Sequence, residues 1–146
     1  MIDTLLDAIR EGAVRSAHDC SDGGLLVALA ECVMSDRSNT TSASIDLEKW
    51  SALSRRALLF GEAQGRVIIS TPDPEAVLAT AARHGVPATV IGEVKESSAP
   101  FTVSLGGSRI SASVSTLAEP YHEAIPRIMS RAASAQDVAL ASDSQV

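Results

Sequence analysis

Apolar side chains recur at helical spacing over several stretches of the chain. Residues 2–11 place their apolar side chains on one face of a helix, which Gly12 is expected to end. Residues 23–34 are apolar almost throughout, and this pattern predicts a helix buried on more than one side. The same spacing predicts further helices at residues 50–59, 75–83 and 116–129.

Shorter runs of alternating or β-branched residues predict the strands. After a polar loop at residues 35–42, strands are expected at residues 43–48, 66–70 and 87–94. Two further runs flank Gly106-Gly107-Ser108, a sequence typical of a β-hairpin turn. Because helices and strands are mixed and the last two strands are antiparallel, we predict an α+β fold with a mixed β-sheet packed with helices.

The composition indicates one globular domain followed by a tail. The chain has 146 residues, of which 45% are apolar and 21% charged, enough for a single domain with a core of its own. We assign this domain to residues 1–133. Residues 134–146 are small and mostly polar, and they are predicted to be disordered.

Charge and hydropathy exclude several kinds of partner. The net charge is −6 and no block of Lys or Arg is present, so a nucleic-acid partner is not expected. No apolar run approaches the roughly 20 residues that cross a bilayer, and the N-terminus lacks the basic start of a signal peptide. Cys20 and Cys32 match no zinc or redox spacing, which favours reduced thiols and a cytoplasmic location.

One short motif, "HDCSDGGL" at residues 18–25, stands directly before the apolar helix. Ser21 or Asp22 is a good helix N-cap, and two glycines after it leave the first-turn N–H groups open to an anion such as phosphate. Asp19 could then hold a bridging Mg²⁺. In the simpler interpretation Asp22 caps the helix, the glycines ease a turn, and Asp19 is solvated. Spacing alone favours this interpretation, because short glycine-rich motifs have many chance matches.

A second candidate patch is "LLFGEAQGRV" at residues 58–67, where two glycines bracket Glu62 and Gln64 before a buried strand. Glu62 could bind a cation, and Gln64 could hydrogen-bond an amide or a ribose hydroxyl of a ligand. Alternatively, the segment is a strand-entry loop whose polar groups face water, and spacing alone again favours that alternative.

Taken together, the two patches resemble a known family. "SAHDCSDGGLLVALAE" followed by "LFGEAQGRV" is similar to the C-terminal half of the second repeat of phosphoribosylformylglycinamidine synthase, the synthetase subunit of formylglycinamide ribonucleotide amidotransferase. The closing "AEPYHEAIPRIM" resembles the family's last helix, so the resemblance covers residues 2–131. It implies the C-terminal domain type of the aminoimidazole ribonucleotide synthetase superfamily, whose sister enzymes carry a different pattern at the first motif.

The resemblance also implies a function for the parent enzyme. It would use ATP and Mg²⁺ to convert formylglycinamide ribonucleotide and glutamine-derived ammonia to formylglycinamidine ribonucleotide, ADP and phosphate in purine biosynthesis. Its partners would be the preceding domains of the same enzyme and the glutaminase and small accessory subunits. Alone, the chain is expected to be inactive and to form a homodimer through apolar surface that normally packs on neighbouring domains.

Site residues follow from the pseudo-symmetry of the family's two halves. The resemblance implies that Asp19 is the metal ligand and that Gly23, Gly24, Glu62 and Gln64 bind nucleotide or substrate. In larger members the second-half cleft is an auxiliary nucleotide site, so no catalytic residue is assigned. Ala63 also replaces the family's usual serine, which removes a hydroxyl donor.

Two other functions remain open at this stage. The chain could be the C-terminal domain of a sister enzyme, such as aminoimidazole ribonucleotide synthetase. It could also be a non-catalytic scaffold domain, in which the Gly-Gly turn is structural and nothing binds.

Overall fold

The computed structural model describes residues 1–35 and 41–143, with side chains through residue 131. The helices in these residues are α1 (Ile2–Arg10), α2 (Gly24–Met34), α3 (Arg55–Phe60), α4 (Pro74–Arg83) and α5 (Val114–Asp143). The strands are β1 (Ser16–Asp19), β2 (Thr41–Asp46), β3 (Val67–Ser70), β4 (Gly92–Glu96), β5 (Phe101–Leu105) and β6 (Ser108–Ala112).

The strands form two sheets. In the smaller sheet β1 pairs antiparallel with β3, and Asp19 at the end of β1 lies opposite Val67. The larger sheet has the order β4-β2-β5-β6. Its β2–β5 pair is parallel and its other pairs are antiparallel, so the predicted α+β fold with a mixed sheet is confirmed.

The core lies where α2, α3 and the start of α5 meet the larger sheet. Helix α2 contacts α3, α5 and both sheets, as its nearly continuous apolar sequence predicts. The largest buried apolar side chains of this core are Leu29, Val33, Met34, Ile45, Leu47, Leu59, Phe101, Val103, Leu105 and Val114.

Helix α1 packs with the opposite face from the one its sequence suggests. The side chains that it buries, against α4, are Thr4 and Ala8, while Ile2, Leu6 and Ile9 are exposed. Polar contacts join α1 to α4 in this arrangement. In one of them Glu11 accepts a 2.8 Å hydrogen bond from the Thr80 hydroxyl and a 2.5 Å bond from the Arg83 guanidinium, and in another His84 Nε2 lies 2.9 Å from Asp7 Oδ2. The apolar periodicity therefore located the helix but not the face that it buries.

Several predicted boundaries differ from the structure. The helix expected at residues 50–59 is divided into a single 3-10 turn at Glu48–Trp50 and α3. The strand expected at residues 87–94 begins only at Gly92, the first residue that pairs with β2. Pro87 lies before the paired residues, and it has no backbone N–H to donate to a neighbouring strand. Strand β2 begins at Thr41, inside the loop predicted at residues 35–42, and it buries Ser42 completely. Residues 36–40 of that loop lie outside the described residues.

Helix α5 is longer than the predicted helix at residues 116–129. It begins at Val114, continues past Pro120 and Pro126, and ends at Asp143. Its last part covers residues 134–143 of the segment that composition predicts to be disordered, and the alanines there favour a helical backbone. Residues 144–146 lie outside the described residues, and the division at residue 133 stays a prediction.

Candidate functional site

The two sequence patches meet at one open cleft of about 300 Å³. Asp19, Glu62 and Gln64 all line it, although Asp19 and Gln64 are far apart in the sequence. The other lining residues are Met1, Cys20, Ser21, Asp22, Ala63, Gly65, Arg66 and Val67.

The pairing of β1 with β3 explains why the patches meet. Strand β1 ends at Asp19, and β3 begins at Val67, its register partner. One step further, the Cys20 N–H donates a 2.9 Å hydrogen bond to the Arg66 carbonyl oxygen. The segment after β1 and the loop before β3 therefore leave the sheet side by side, and the cleft lies between them.

The glycine pair adopts a backbone conformation that other residues rarely take. Gly23 has φ +78° and Gly24 has φ +74°. Gly23 is itself the N-cap of α2, without a side-chain hydrogen bond from a neighbouring residue, so the prediction that Ser21 or Asp22 caps the helix is wrong. The left-handed backbone at both glycines turns the chain before either side chain can reach the helix end.

Gly24 is also packed against another element. A Cβ atom at this position would lie 2.7 Å from the carbonyl carbon of Phe60 and 3.0 Å from the Gly61 oxygen, which are backbone atoms at the end of α3. Its own N–H donates a 3.2 Å hydrogen bond to the Ser21 carbonyl. Close packing of α3 against the start of α2 thus gives Gly24 a structural reason to be glycine.

Glu62 supplies the cap that the local sequence does not. Its Oε1 atom accepts a 3.0 Å hydrogen bond from the Gly23 N–H, across 39 positions of sequence. A carboxylate at a helix N-terminus satisfies an open donor and complements the helix dipole. The N–H groups of both glycines therefore already have acceptors, and a phosphate does not fit on them while Glu62 stays in place.

Asp19 is different, because its carboxylate faces solvent in the cleft. The Ser21 hydroxyl donates a hydrogen bond to Oδ2, and His18 Nδ1 lies 3.7 Å from Oδ1. The hydrogen bond from Ser21, with smaller contributions from the backbone and His18, lowers the pKa of Asp19. The carboxylate is therefore ionised well below neutral pH and available to a cation.

The donor set around Asp19 fits Mg²⁺ only in a limited way. Within residues 1–35 and 41–131, no group of three or more His, Cys, Asp or Glu side chains is arranged to hold a metal ion. Mg²⁺ commonly takes one or two carboxylates and completes its shell with water and phosphate oxygens. Asp19 fits the role of such a single protein ligand, and the cleft contains no preformed cage in the described residues.

The charge of the cleft also favours a cation. Asp19, Asp22 and Glu62 line it, and Arg66 is the cationic side chain among the lining residues that are described. The Arg66 guanidinium is engaged with backbone carbonyls, since Nη2 donates to Gly61 O and Nε lies 3.4 Å from the Ala63 oxygen. A bare anion would therefore meet a net negative surface.

Several neighbouring residues have roles that the sequence alone did not assign. His18 Nε2 lies 3.1 Å from Glu31 Oε2, which connects β1 to α2. Cys20 and Cys32 are free, and burial raises the pKa of both thiols. The sequence signal for the loop-closing contacts of Arg66 is its position directly after Gly65, at the entry to a buried strand.

Comparison with known proteins gives consistent matches. Residues 1–103 match the family described as AIR synthase related protein, C-terminal domain. The subunit PurL of phosphoribosylformylglycinamidine synthase from Chlorobium luteolum is 37% identical over 84% of this chain and 17% of its own length. The corresponding subunit from Caulobacter vibrioides is 42% identical over 69% of this chain and 14% of its own length.

Solved structures agree with the sequence matches. Thermotoga maritima PurL complexed with FGAR aligns with a TM-score of 0.66 and 25% identity, over 80% of this chain and 20% of that one. The same protein complexed with ATP gives the same TM-score. The chain thus spans about a fifth or less of the length of these relatives. No helix in the described part of the chain is both long and apolar enough to cross a membrane.

Proposed function

We propose that this chain, which belongs to the C-terminal domain family of AIR synthase related proteins, forms one domain of a phosphoribosylformylglycinamidine synthase. The observation that carries the proposal is the cleft in which Asp19 and Gln64, from the two diagnostic motifs, face the same space. Relatives bearing that enzyme's name match most of the chain while being several times longer. The whole enzyme's activity therefore requires domains beyond the residues described here.

The reaction proposed for the whole enzyme is a C–N ligation in purine biosynthesis. ATP would activate the amide oxygen of formylglycinamide ribonucleotide, and glutamine-derived ammonia would displace phosphate to give formylglycinamidine ribonucleotide and ADP. Structures of the Thermotoga maritima relative complexed with ATP and with ADP support the use of ATP. A structure of PurLQS from that organism supports assembly with further subunits, which we propose to be the glutaminase and a small accessory subunit. A cytoplasmic location is part of the same proposal.

Within the cleft, the described residues would bind and orient a nucleotide rather than carry out chemistry. Asp19 would hold Mg²⁺, which supplies charge neutralisation to phosphate oxygens when bound. Gln64 is exposed and makes no hydrogen bond within the residues that the structure describes, so its amide is free for a ribose hydroxyl or a ligand amide. Gly23, Gly24 and Glu62 would support the site by fixing the start of α2.

Titration of the chain with Mg²⁺–ADP tests the nucleotide site. Saturable amide shifts are expected at Asp19 and Gln64, and at Gly23 and Gly24 beside them, and Asp19→Asn should weaken binding because one anionic metal ligand is lost. Glu75→Gln, which removes an acidic charge from the first turn of α4, is the matched control and should leave the shifts unchanged. Silence at millimolar ligand would instead support a scaffold domain.

The scaffold alternative has a specific observation in its favour. The Glu62–Gly23 hydrogen bond and the packing of Gly24 on Phe60 give three of the five predicted site residues an internal role. A domain of a sister enzyme within the same family is the other alternative. The relatives named above carry the phosphoribosylformylglycinamidine synthase name, which favours that enzyme.

Two further proposals concern the isolated chain. Without the other domains it should show no synthetase turnover, and product formed from ATP, substrate and ammonia by this chain alone would contradict that.

The exposed side chains Ile2, Leu6 and Ile9 on α1 form an apolar stripe, so the isolated chain should form a homodimer. Light scattering should detect the dimer, Ile9→Glu should dissociate it, and a monomeric wild-type chain at high concentration would refute it.

A further inference from the structure

Arg66 contacts both of the chain segments that form the cleft, although no ligand-binding expectation involves it. Its carbonyl oxygen accepts the 2.9 Å hydrogen bond from the Cys20 N–H, at the end of β1. Its guanidinium group donates to Gly61 O and lies 3.4 Å from the Ala63 oxygen, within the loop that carries Gln64. Arg66 therefore connects the two sides of the cleft through one residue.

The chemistry of the guanidinium suits this role. Its planar fork presents five N–H donors, so it can serve two carbonyl oxygens of one loop at the same time. Hydrogen bonds from a charged donor are stronger than those between neutral groups. Apart from the Glu62–Gly23 hydrogen bond, loop 61–66 has few other constraints, because residues 62–65 are exposed and Gly65 adopts φ +76°.

We propose that Arg66 is a positioning residue that sets the separation between Gln64 and the Asp19 carboxylate. Its side chain closes loop 61–66 onto its own carbonyls, and its backbone holds the closed loop against the end of β1. Glu62 fastens the same loop to the first turn of α2. The inference that this geometry serves ligand binding rests on the proposed function, whereas the ordering of the loop does not.

Two substitutions separate the positive charge of Arg66 from the planar, multi-donor geometry of its guanidinium group. Arg66→Ala removes both, and Arg66→Lys keeps the positive charge but presents a compact ammonium that does not reproduce the two-carbonyl fork. Arg55→Ala is the matched control, because Arg55 makes the same kind of contact, 2.9 Å to the Gly106 oxygen, in the hairpin turn away from the cleft.

The first measurement is the backbone order parameter of residues 61–65, determined by ¹⁵N relaxation without ligand. The wild-type chain should give values near the rigid limit of about 0.85, and both Arg66 variants should fall below about 0.6. Arg55→Ala should leave these residues unchanged. Unchanged order in the two Arg66 variants would overturn the inference, and Arg66→Lys decides the point if Arg66→Ala does not fold.

The second measurement is the dissociation constant for Mg²⁺–ADP at a temperature where every variant is fully folded. Loss of one charge-assisted hydrogen bond from the loop corresponds to roughly tenfold weaker binding in both Arg66 variants. If the role of Arg66 were purely structural, its variants would be less stable but would bind Mg²⁺–ADP as tightly as the wild-type chain. This is the result expected for Arg55→Ala. If the wild-type chain binds and the Arg66 variants bind equally well, Arg66 does not position the site. If the wild-type chain does not bind, the nucleotide function fails, and the order parameters still decide whether Arg66 holds the loop.

Discussion

Substitution of Gly24 by alanine should show whether this glycine is kept for packing or for a ligand. Gly24 has φ +74°, and the added Cβ would lie 2.7 Å and 2.9 Å from the carbonyl carbon and Cα of Phe60. Both are backbone atoms, so no side-chain rotation relieves the contact. We expect Gly24→Ala to destabilise the chain strongly in the absence of any ligand.

The magnitude can be divided into two parts. A left-handed backbone costs a residue with a side chain roughly 1–2 kcal/mol. Forcing a methyl group into an already packed site costs about 1–3 kcal/mol more, because the end of α3 must shift. Gly24→Ala should therefore lower the free energy of unfolding by about 2–5 kcal/mol.

Gly12 provides a matched control within the same chain. It has the same φ of +74°, but a Cβ there would have no atom within 4 Å. Gly12→Ala should therefore lose only the backbone part, about 1–2 kcal/mol. Gly23→Ala should also exceed Gly12→Ala, because its Cβ would lie 2.6 Å from Val27 Cγ2 and 3.0 Å from Val27 Cβ. Rotation about χ1 moves only the first of these two atoms, and a helical valine has one strongly preferred rotamer.

Urea unfolding at constant temperature, followed by circular dichroism, measures all three variants on one scale. The decisive quantity is the difference between Gly24→Ala and Gly12→Ala. Equal losses would mean that the contact with Phe60 does not constrain Gly24. The glycine would then have to be explained by ligand approach or by the backbone angle alone.

Other predictions concern the acids and thiols of the cleft. Glu62→Ala should cost about 1 kcal/mol of unfolding free energy as a lost helix cap, and Glu62→Gln less; equal stability of both variants and wild type would contradict the cap. Ser21→Ala should raise the pKa of Asp19, measured by the pH dependence of its carboxyl ¹³C shift. Because the folded-state pKa of Asp19 lies below its unfolded value, the stability it contributes is present above the unfolded pKa and is lost as pH falls through the folded pKa. Burial raises the pKa of Cys20, so iodoacetamide at pH 8 should alkylate it more slowly in the folded than in the urea-unfolded chain.

Sequence patterns predicted those elements whose structure depends on interactions between neighbouring residues. Asp73 caps α4 with its side chain, accepting a 3.1 Å hydrogen bond from the Ala76 N–H, and Pro74 follows at the first helical position. The hairpin follows from Gly106 and Gly107, whose φ angles of +57° and +68° suit a tight turn. In each case the residues that make the structure are neighbours in the sequence.

Contacts between distant residues could not be predicted in the same way. The apolar periodicity of α1 indicates one face, whereas the structure buries another, on the side where Glu11 meets Thr80 and Arg83 of α4. The cap of α2 comes from Glu62, 39 positions after Gly23. The residues around Glu62 in the sequence do not show whether its carboxylate caps a helix or binds a ligand.

This ambiguity changes which residues can support a binding function. Gly23, Gly24 and Glu62 are occupied with one another and with α3, so their presence would be expected even in a domain that binds nothing. Asp19 and Gln64 have no comparable structural role, since both are exposed and a solvated side chain adds little to folding. A ligand that uses this cleft must therefore be recognised mainly through Asp19 and Gln64, and substitutions of those two residues should affect binding far more than stability.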